Sequence, residues 1–163
     1  MITVKNHDEI AIMRKAGRIV GETLLLLEKE VKPGVITASL DRIAEEFITK
    51  HGAKPSFKGL YGFPSSLCIS VNEQVIHGFP GEYVLKEGDI VSIDCGAFFD
   101  GFHGDAARTF SVGEVSVEAQ RLIDITRESF FQGIKFAKQG NKLTDISHCL
   151  LYTSLSGLAR QTV

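Results

Sequence analysis

Apolar residues recur every three or four positions over residues 7–31, which is the spacing of one face of an α-helix. Asn6 and Glu9 stand three positions apart just before this repeat, as in a capping box, and Pro33-Gly34 follows its end. The pattern therefore predicts a first helix. The apolar positions that define it are Ile10, Met13, Ala16, Ile19, Leu24 and Leu27.

The same spacing predicts a second helix from Thr37 to a stop at His51-Gly52, a third over residues 116–138 and a fourth from Thr144. Between the second and third helices the pattern changes to short apolar runs bounded by Gly, Pro and Asn, which are typical of strands. Residues 54–64 are rich in Gly, Pro and aromatic residues and predict a shaped loop. The predicted strands are Leu67–Val71, Val75–His77, Asp89–Phe99 and Phe102–Phe110.

A weak internal repeat relates the two pairs of predicted helices. Ile19 and Ile125, Gly34 and Gly140, and several further pairs of similar residues lie the same distance apart along the chain. We interpret this as a possible duplication of a helical hairpin.

The dipeptide Asp100-Gly101 predicts a tight hairpin turn, because a two-residue type I′ turn needs positive φ at both positions. The turn fixes the strand register. Gly96 then faces Asp105, and Asp94 faces Ala107. Since opposed residues share a face, the two aspartates become diagonal neighbours on one side of the sheet.

Two diagonal carboxylates are close enough to contact the same ligand. Burying them without a compensating charge costs several kcal/mol each. A pair of divalent ions bridged by carboxylates fits this geometry, and oxygen ligands favour Mn, Fe, Co or Zn. Gly96 and Gly104 predict room for a ligand and a close approach of the backbone. The alternative is that one aspartate is solvated while the other pairs with Arg108 or a lysine. His77 follows an apolar run, and it is either structural or a donor to a metal-activated carbonyl.

Composition narrows the function. A formal charge of -2 without a dense Lys/Arg cluster gives no basic surface for nucleic acid. The N-terminus lacks an apolar signal region and no apolar run is long enough to span a membrane, so we expect a cytoplasmic protein. Three cysteines without a C-x-x-C spacing predict free thiols.

These features together resemble the type I methionine aminopeptidases of the pita-bread metallopeptidase family. The resemblance implies an α+β, pita-bread fold, of which residues 1–148 form the first half and the start of the second. Its sheet is expected to be mixed, largely antiparallel and curved, with helices on one face. The stretches that carry the resemblance are MRKAGRIV, SFKGLYGFPSSLCISVNEQVIHGFP and LKEGDIVSIDCGAFFDGFHGDAARTF.

The family implies removal of the initiator methionine from nascent polypeptides whose second residue is small, by a water nucleophile bridging two divalent metal ions. By position, Asp94 would chelate one ion and Asp105 would bridge both. His77 would contact the substrate, and Phe63 and Cys68 would line the methionine pocket. The expected partners are nascent polypeptide N-termini, with a possible transient contact to the ribosome and none to nucleic acid or membrane.

The resemblance stops at His148. The family's remaining ligands, a histidine and two glutamates, match no position here, so we expect this chain alone to be inactive. The segment CLLYTSLSGLARQTV breaks the helical pattern, and we interpret residues 149–163 as a non-family tail derived from a sequencing adaptor. Two other functions stay open: an X-Pro aminopeptidase, or a ligand-depleted pita-bread relative acting as an interaction module.

Overall fold

The structure is a computed structural model that describes residues 3–159. The chain divides between Val115 and Ser116 into two compact units. No helix in the described range is long and apolar enough to cross a membrane. The helices are α1 (His7–Glu30), α2 (Thr37–Lys50), α3 (Val117–Gly133) and α4 (Leu143–Ala159), with short 3₁₀ turns at Leu60–Gly62 and Ile134–Phe136; the strands are β1 (Lys54–Pro55), β2 (Leu67–Val71), β3 (Ile90–Phe99) and β4 (Phe102–Ser111).

Strand β3 is the centre of the sheet in the first unit. It pairs with β4 along one edge and with β2 and β1, placed end to end, along the other. Every one of these pairings between described strands is antiparallel, so the mixed character expected of the sheet is not seen in this part of the chain. The predicted hairpin turn is confirmed, with φ of 45° at Asp100 and 87° at Gly101.

Helices α1 and α2 pack on one face of this sheet, as predicted. Leu24 and Leu27 of α1 and Leu40 of α2 join Ile69 of β2 and Ile93 of β3 in one buried cluster. Each such side chain contributes about 1.5–3 kcal/mol when fully buried. The cluster therefore fixes which face of the sheet is covered.

Close packing of α1 depends on Gly104 of β4. A Cβ at this position would lie 2.6 Å from the backbone of Ala16 and Gly17. The close approach of the backbone predicted at Gly104 is therefore confirmed, because α1 packs directly against it. The prediction of ligand space beside Gly104 was wrong.

The prediction of a strand at Val75–His77 was also wrong. The chain turns after β2, where Asn72 has φ of 53° and the amide of Gln74 donates to the carbonyl of Val71. It returns to the edge of β2 only at Gly78, whose carbonyl accepts a hydrogen bond from Ile69. Pairing at one residue is not enough to form a strand.

The second unit is the helical hairpin α3–α4. The prediction that the helical pattern breaks at Cys149 was wrong, because α4 continues to Ala159. It is held by packing within the unit: Leu150 lies against Gly133, and the Ser154 hydroxyl donates to that of Ser129 at 2.9 Å. The origin of the residues from Cys149 onward stays a prediction, and residues 160–163 lie outside the described range.

The internal repeat has a counterpart in local geometry. The Thr23 hydroxyl donates to the carbonyl of Ile19 at 2.7 Å, and Ser129 donates to Ile125 at 2.8 Å. The two inter-helix turns also match, since Gly34 and Gly140 have φ of 89° and 91°. The similarity supports a repeated helical hairpin.

Candidate active site

The β3–β4 hairpin places Asp94 and Asp105 as diagonal neighbours. Asp94 faces Ala107 and Gly96 faces Asp105, the register predicted from the turn. Both aspartates lie on the sheet face opposite the α1–α2 core. The hairpin therefore brings two carboxylates together on the face that the helices leave uncovered.

Asp94 is half-buried, and its Oδ1 is buried without a hydrogen-bond partner among the described residues. Arg108 pairs with Glu28 at 3.5 Å, and no ion pair to Asp94 or Asp105 occurs within residues 3–159. Asp105 is exposed, as the alternative expected of one aspartate, but the other aspartate pairs neither with Arg108 nor with a lysine among these residues. An orphaned carboxylate oxygen facing a second acid is suited to a cation.

The pKa of Asp94 reflects this environment. Burial raises it, and the negative charge of Asp105 and a side-chain hydrogen bond with Asp105 raise it further. The neighbouring His77 and a hydrogen bond from the Cys95 amide act in the opposite direction but do not outweigh these effects. Asp94 is therefore a carboxylate whose ionised form is poorly stabilised by the protein itself.

Cys68 of β2 lies directly opposite Asp94 in the sheet. Burial raises the pKa of its thiol to about 11, with further contributions from Asp94 and Asp105. At neutral pH the side chain is a small, uncharged and weakly polar group. It therefore gives the site an apolar wall beside the carboxylates.

His77 lies in the loop after β2, exposed and with φ of 58°. This left-handed conformation is unfavourable for a side-chain-bearing residue and needs support from its surroundings. The support comes from Gly78, which contacts the backbone of Ile69 and the hydroxyl of Ser70.

Phe63 follows the 3₁₀ turn, and its ring packs against aromatic rings of two loop segments. Its ring lies 6.5 Å from that of Phe57 and 5.2 Å from that of Phe79, measured between centroids. The space beside Gly96 is filled by Phe57 and Ser56, since a Cβ there would lie 2.7 Å from the Cβ of Ser56. Gly96 therefore lets the aromatic loop pack on the site face, and no ligand space exists beside it.

Asp94 and Asp105 could serve as ligands of a cation, but they form only part of a complete ligand set. Carboxylates are the donors that hard divalent ions prefer, and Asp94 Oδ1 has an unused acceptor capacity. No group of three or more His, Cys, Asp or Glu residues in the described part of the chain could hold a metal ion.

Comparison with known proteins identifies the class. Residues 11–153 match metallopeptidase family M24. The chain therefore belongs to this family, and membership implies a divalent metal cofactor.

The chain is 70% identical over 148 residues to a methionine aminopeptidase of Clostridium perfringens, covering 91% of this chain and 59% of the relative. The crystal structure of the Thermotoga maritima methionine aminopeptidase superposes with a TM-score of 0.93 at 42% identity, covering 96% of this chain and 63% of that one. Aminopeptidase P from Escherichia coli gives a TM-score of 0.85 at 25% identity, covering 96% and 35%. The fold is the pita-bread fold, and the chain spans about three fifths of the length of the methionine aminopeptidases it matches.

Sequence reasoning missed the residues that hold the His77 loop. Ser70 lies two positions after Cys68 and hence on the same sheet face, and Gly78 immediately follows His77. The alternation along β2 would have placed Ser70 on this face. Nothing in the sequence indicated that its partner would be the amide of Gly78.

Proposed function

We propose that this chain supplies part of the active site of a methionine aminopeptidase, which removes the initiator methionine from new polypeptides with a small second residue. One observation carries the proposal. Within the described residues Asp94 keeps an unpartnered buried oxygen beside Asp105, in a chain 70% identical to a methionine aminopeptidase.

Asp94 and Asp105 would hold two divalent ions, of Co, Mn, Fe or Zn. When bound, such ions act as Lewis acids that polarise a carbonyl and lower the pKa of a water molecule. The raised pKa of Asp94 opposes ionisation in the free chain, and a neighbouring cation reverses this by favouring the carboxylate. A bound cation would therefore stabilise the ionised form of Asp94.

The other residues would recognise the substrate. His77 is exposed near the carboxylates, where its ring can donate a hydrogen bond to the peptide at the scissile bond. Cys68 and Phe63 would line the pocket for the methionine side chain, since a neutral thiol and an aromatic ring both suit a thioether.

The expected cellular setting follows from this substrate. Nascent polypeptide N-termini would be the partners, with a transient contact to the ribosome, and the enzyme would act in the cytoplasm. A net charge of -2 offers no basic surface for nucleic acid.

The 163-residue chain by itself is expected to bind metal weakly and to hydrolyse no peptide. Each divalent ion needs four to six ligands, and two carboxylates cannot provide them. Its catalytic competence has to be tested with the remaining ligands supplied.

The test is a hybrid enzyme. Residues 1–148 are joined to the remaining segment of the Clostridium perfringens relative, and release of methionine from Met-Ala-Ser is measured with Mn²⁺ or Co²⁺. We expect hydrolysis that is lost in Asp94→Asn and kept in Asp100→Asn, which changes an exposed aspartate in the same hairpin.

The same hybrid is assayed with Ala-Pro-Ala. Release of alanine without release of methionine would favour the X-Pro aminopeptidase reading. A folded hybrid that cleaves neither peptide, although the parent relative cleaves Met-Ala-Ser, would favour the interaction module.

A further inference from the structure

The loop that carries His77 is hydrogen-bonded to β2 at two residues, Gln74 in the turn and Gly78 next to the histidine. The amide of Gly78 donates to the hydroxyl of Ser70 at 3.2 Å, and its carbonyl accepts from the amide of Ile69 at 2.9 Å. Ser70 is only 4% exposed. A buried hydroxyl on β2 therefore serves as the acceptor for the residue next to His77.

The approach of Gly78 to β2 leaves no space for a side chain. A Cβ there would lie 2.1 Å from the carbonyl oxygen of Ile69 and 3.1 Å from Ser70 Oγ. His77 directly precedes this contact and has φ of 58°. That conformation is intrinsically unfavourable and needs support from its surroundings, and the contact of Gly78 with β2 lies directly next to it.

Strand β2 also connects to the carboxylates. Cys68 faces Asp94 across the β2–β3 pair, and Ser70 faces Ser92 in the next position on the same face. One edge of β2 thus holds the loop of His77 while its other edge pairs with the strand that carries Asp94. Strand β2 therefore links the loop of His77 to the strand that carries Asp94.

We propose that Ser70 is a positioning residue, whose hydroxyl holds the amide of Gly78 and thereby fixes His77 relative to Asp94 and Asp105. The inference rests on the proposed function, in which the two aspartates bind metal and His77 contacts the substrate. It adds a residue that touches neither the metal ions nor the peptide.

The first test is amide hydrogen exchange on the full chain. Ser70→Ala should speed exchange at Gly78 about fivefold, the factor that corresponds to one neutral hydrogen bond. Ser70→Thr keeps the hydroxyl and should restore the slow rate. Ser92→Ala is the matched control. It removes a hydroxyl from the same sheet face, but the Ser92 hydroxyl bonds to Thr109 and not to the loop. A Gly78 rate unchanged in Ser70→Ala would overturn the inference.

The second test separates positioning from general stability in the hybrid enzyme, with Mn²⁺ as a paramagnetic probe and the NMR signals of two histidine rings as the readout. His103 lies two positions from Asp105 on the same face and serves as the internal reference. In Ser70→Ala, broadening of His77 relative to His103 should fall at least twofold, while the Mn²⁺ concentration that half-broadens His103 stays the same. Ser70→Thr should restore the ratio, and a purely structural role for Ser70 would not change the two signals differently.

The outcomes for the two proposals differ. An unchanged ratio in Ser70→Ala, with His103 still broadened, overturns the inference alone. Absence of His103 broadening in the hybrid enzyme, or broadening there that is equally strong in Asp94→Asn, overturns the proposed function on which the inference rests. If Ser70→Ala does not fold, Gly78→Ala replaces it, and an unchanged ratio there is equally decisive because the added Cβ must displace the loop.

Discussion

Asp89 and Asp94 lie at the start and in the middle of the same strand region, yet their surroundings are opposite. Asp89 is 7% exposed and accepts hydrogen bonds from Asn72 Nδ2, Tyr83 Oη and the Lys86 amide, at 2.9, 3.0 and 2.9 Å. Asp94 has a buried oxygen with no such partner in the described chain.

The pKa values follow the surroundings. Burial opposes ionisation of Asp89, but its three hydrogen bonds outweigh this and lower its pKa. Burial and the charge of Asp105 raise the pKa of Asp94. One carboxylate thus stabilises the fold, whereas the other destabilises the metal-free chain, which is the expected behaviour of a group kept for a ligand.

Removing the satisfied carboxylate should have the largest effect. Asp89→Ala is expected to lower the free energy of unfolding by about 3 kcal/mol, because three donors lose their acceptor. Urea denaturation at pH 7 measures the loss. Asp89→Asn retains one acceptor oxygen and should lose less; equal losses for the two variants would contradict this account.

Removing the unpartnered charge of Asp94 should change the free energy of unfolding in the opposite direction. Asp94→Asn is expected to raise the free energy of unfolding of the metal-free chain by about 1 kcal/mol at pH 7, because an uncompensated buried charge disappears. Asp100→Asn serves as the control, since Asp100 is exposed and Asn tolerates its φ of 45°. A destabilised Asp94→Asn would show that the carboxylate has a stabilising partner.

The pH dependence should separate the two aspartates further. The folded pKa of Asp89 lies below the unfolded value near 3.8, so its stabilisation is present above that pH and is lost as pH falls through the folded pKa. The folded pKa of Asp94 lies above the unfolded value near 3.8, so its ionisation lowers the free energy of unfolding as the pH rises from 3.8 through the folded pKa. Each variant differs from the unmodified chain in its free energy of unfolding, and this difference should disappear as the pH falls. It should disappear at a higher pH for Asp94→Asn than for Asp89→Asn, as measured by urea titrations between pH 3 and 7.

The same contrast explains what the sequence could predict. The Asp100-Gly101 turn determines the register locally, so the shared face of Asp94 and Asp105 followed from two residues and the alternation of a strand. The loop between β2 and β3 did not follow, because it is held by bonds between residues distant in sequence. Thr37, for example, exchanges hydrogen bonds with Gly81, and no local pattern encodes such a partner.

The packing around the glycines was unpredictable for a related reason. Gly96 and Gly104 were expected to leave space on the hairpin, but the aromatic loop fills one position and α1 fills the other. A sequence indicates where a side chain is missing, and only the tertiary fold determines which element occupies the space.

The smallest expected effect is on the reactivity of Cys68. Burial is the main cause of its raised pKa and is unchanged in Asp94→Asn, whereas the contribution of the Asp94 charge is removed. The thiolate fraction should therefore rise, and alkylation by iodoacetamide at pH 8 should speed up roughly threefold. Cys149 in the second unit is the internal reference, and mass spectrometry of the two cysteine peptides gives the ratio of rates. Equal changes at both cysteines would show that altered opening of the chain, instead of the local charge, controls the reaction.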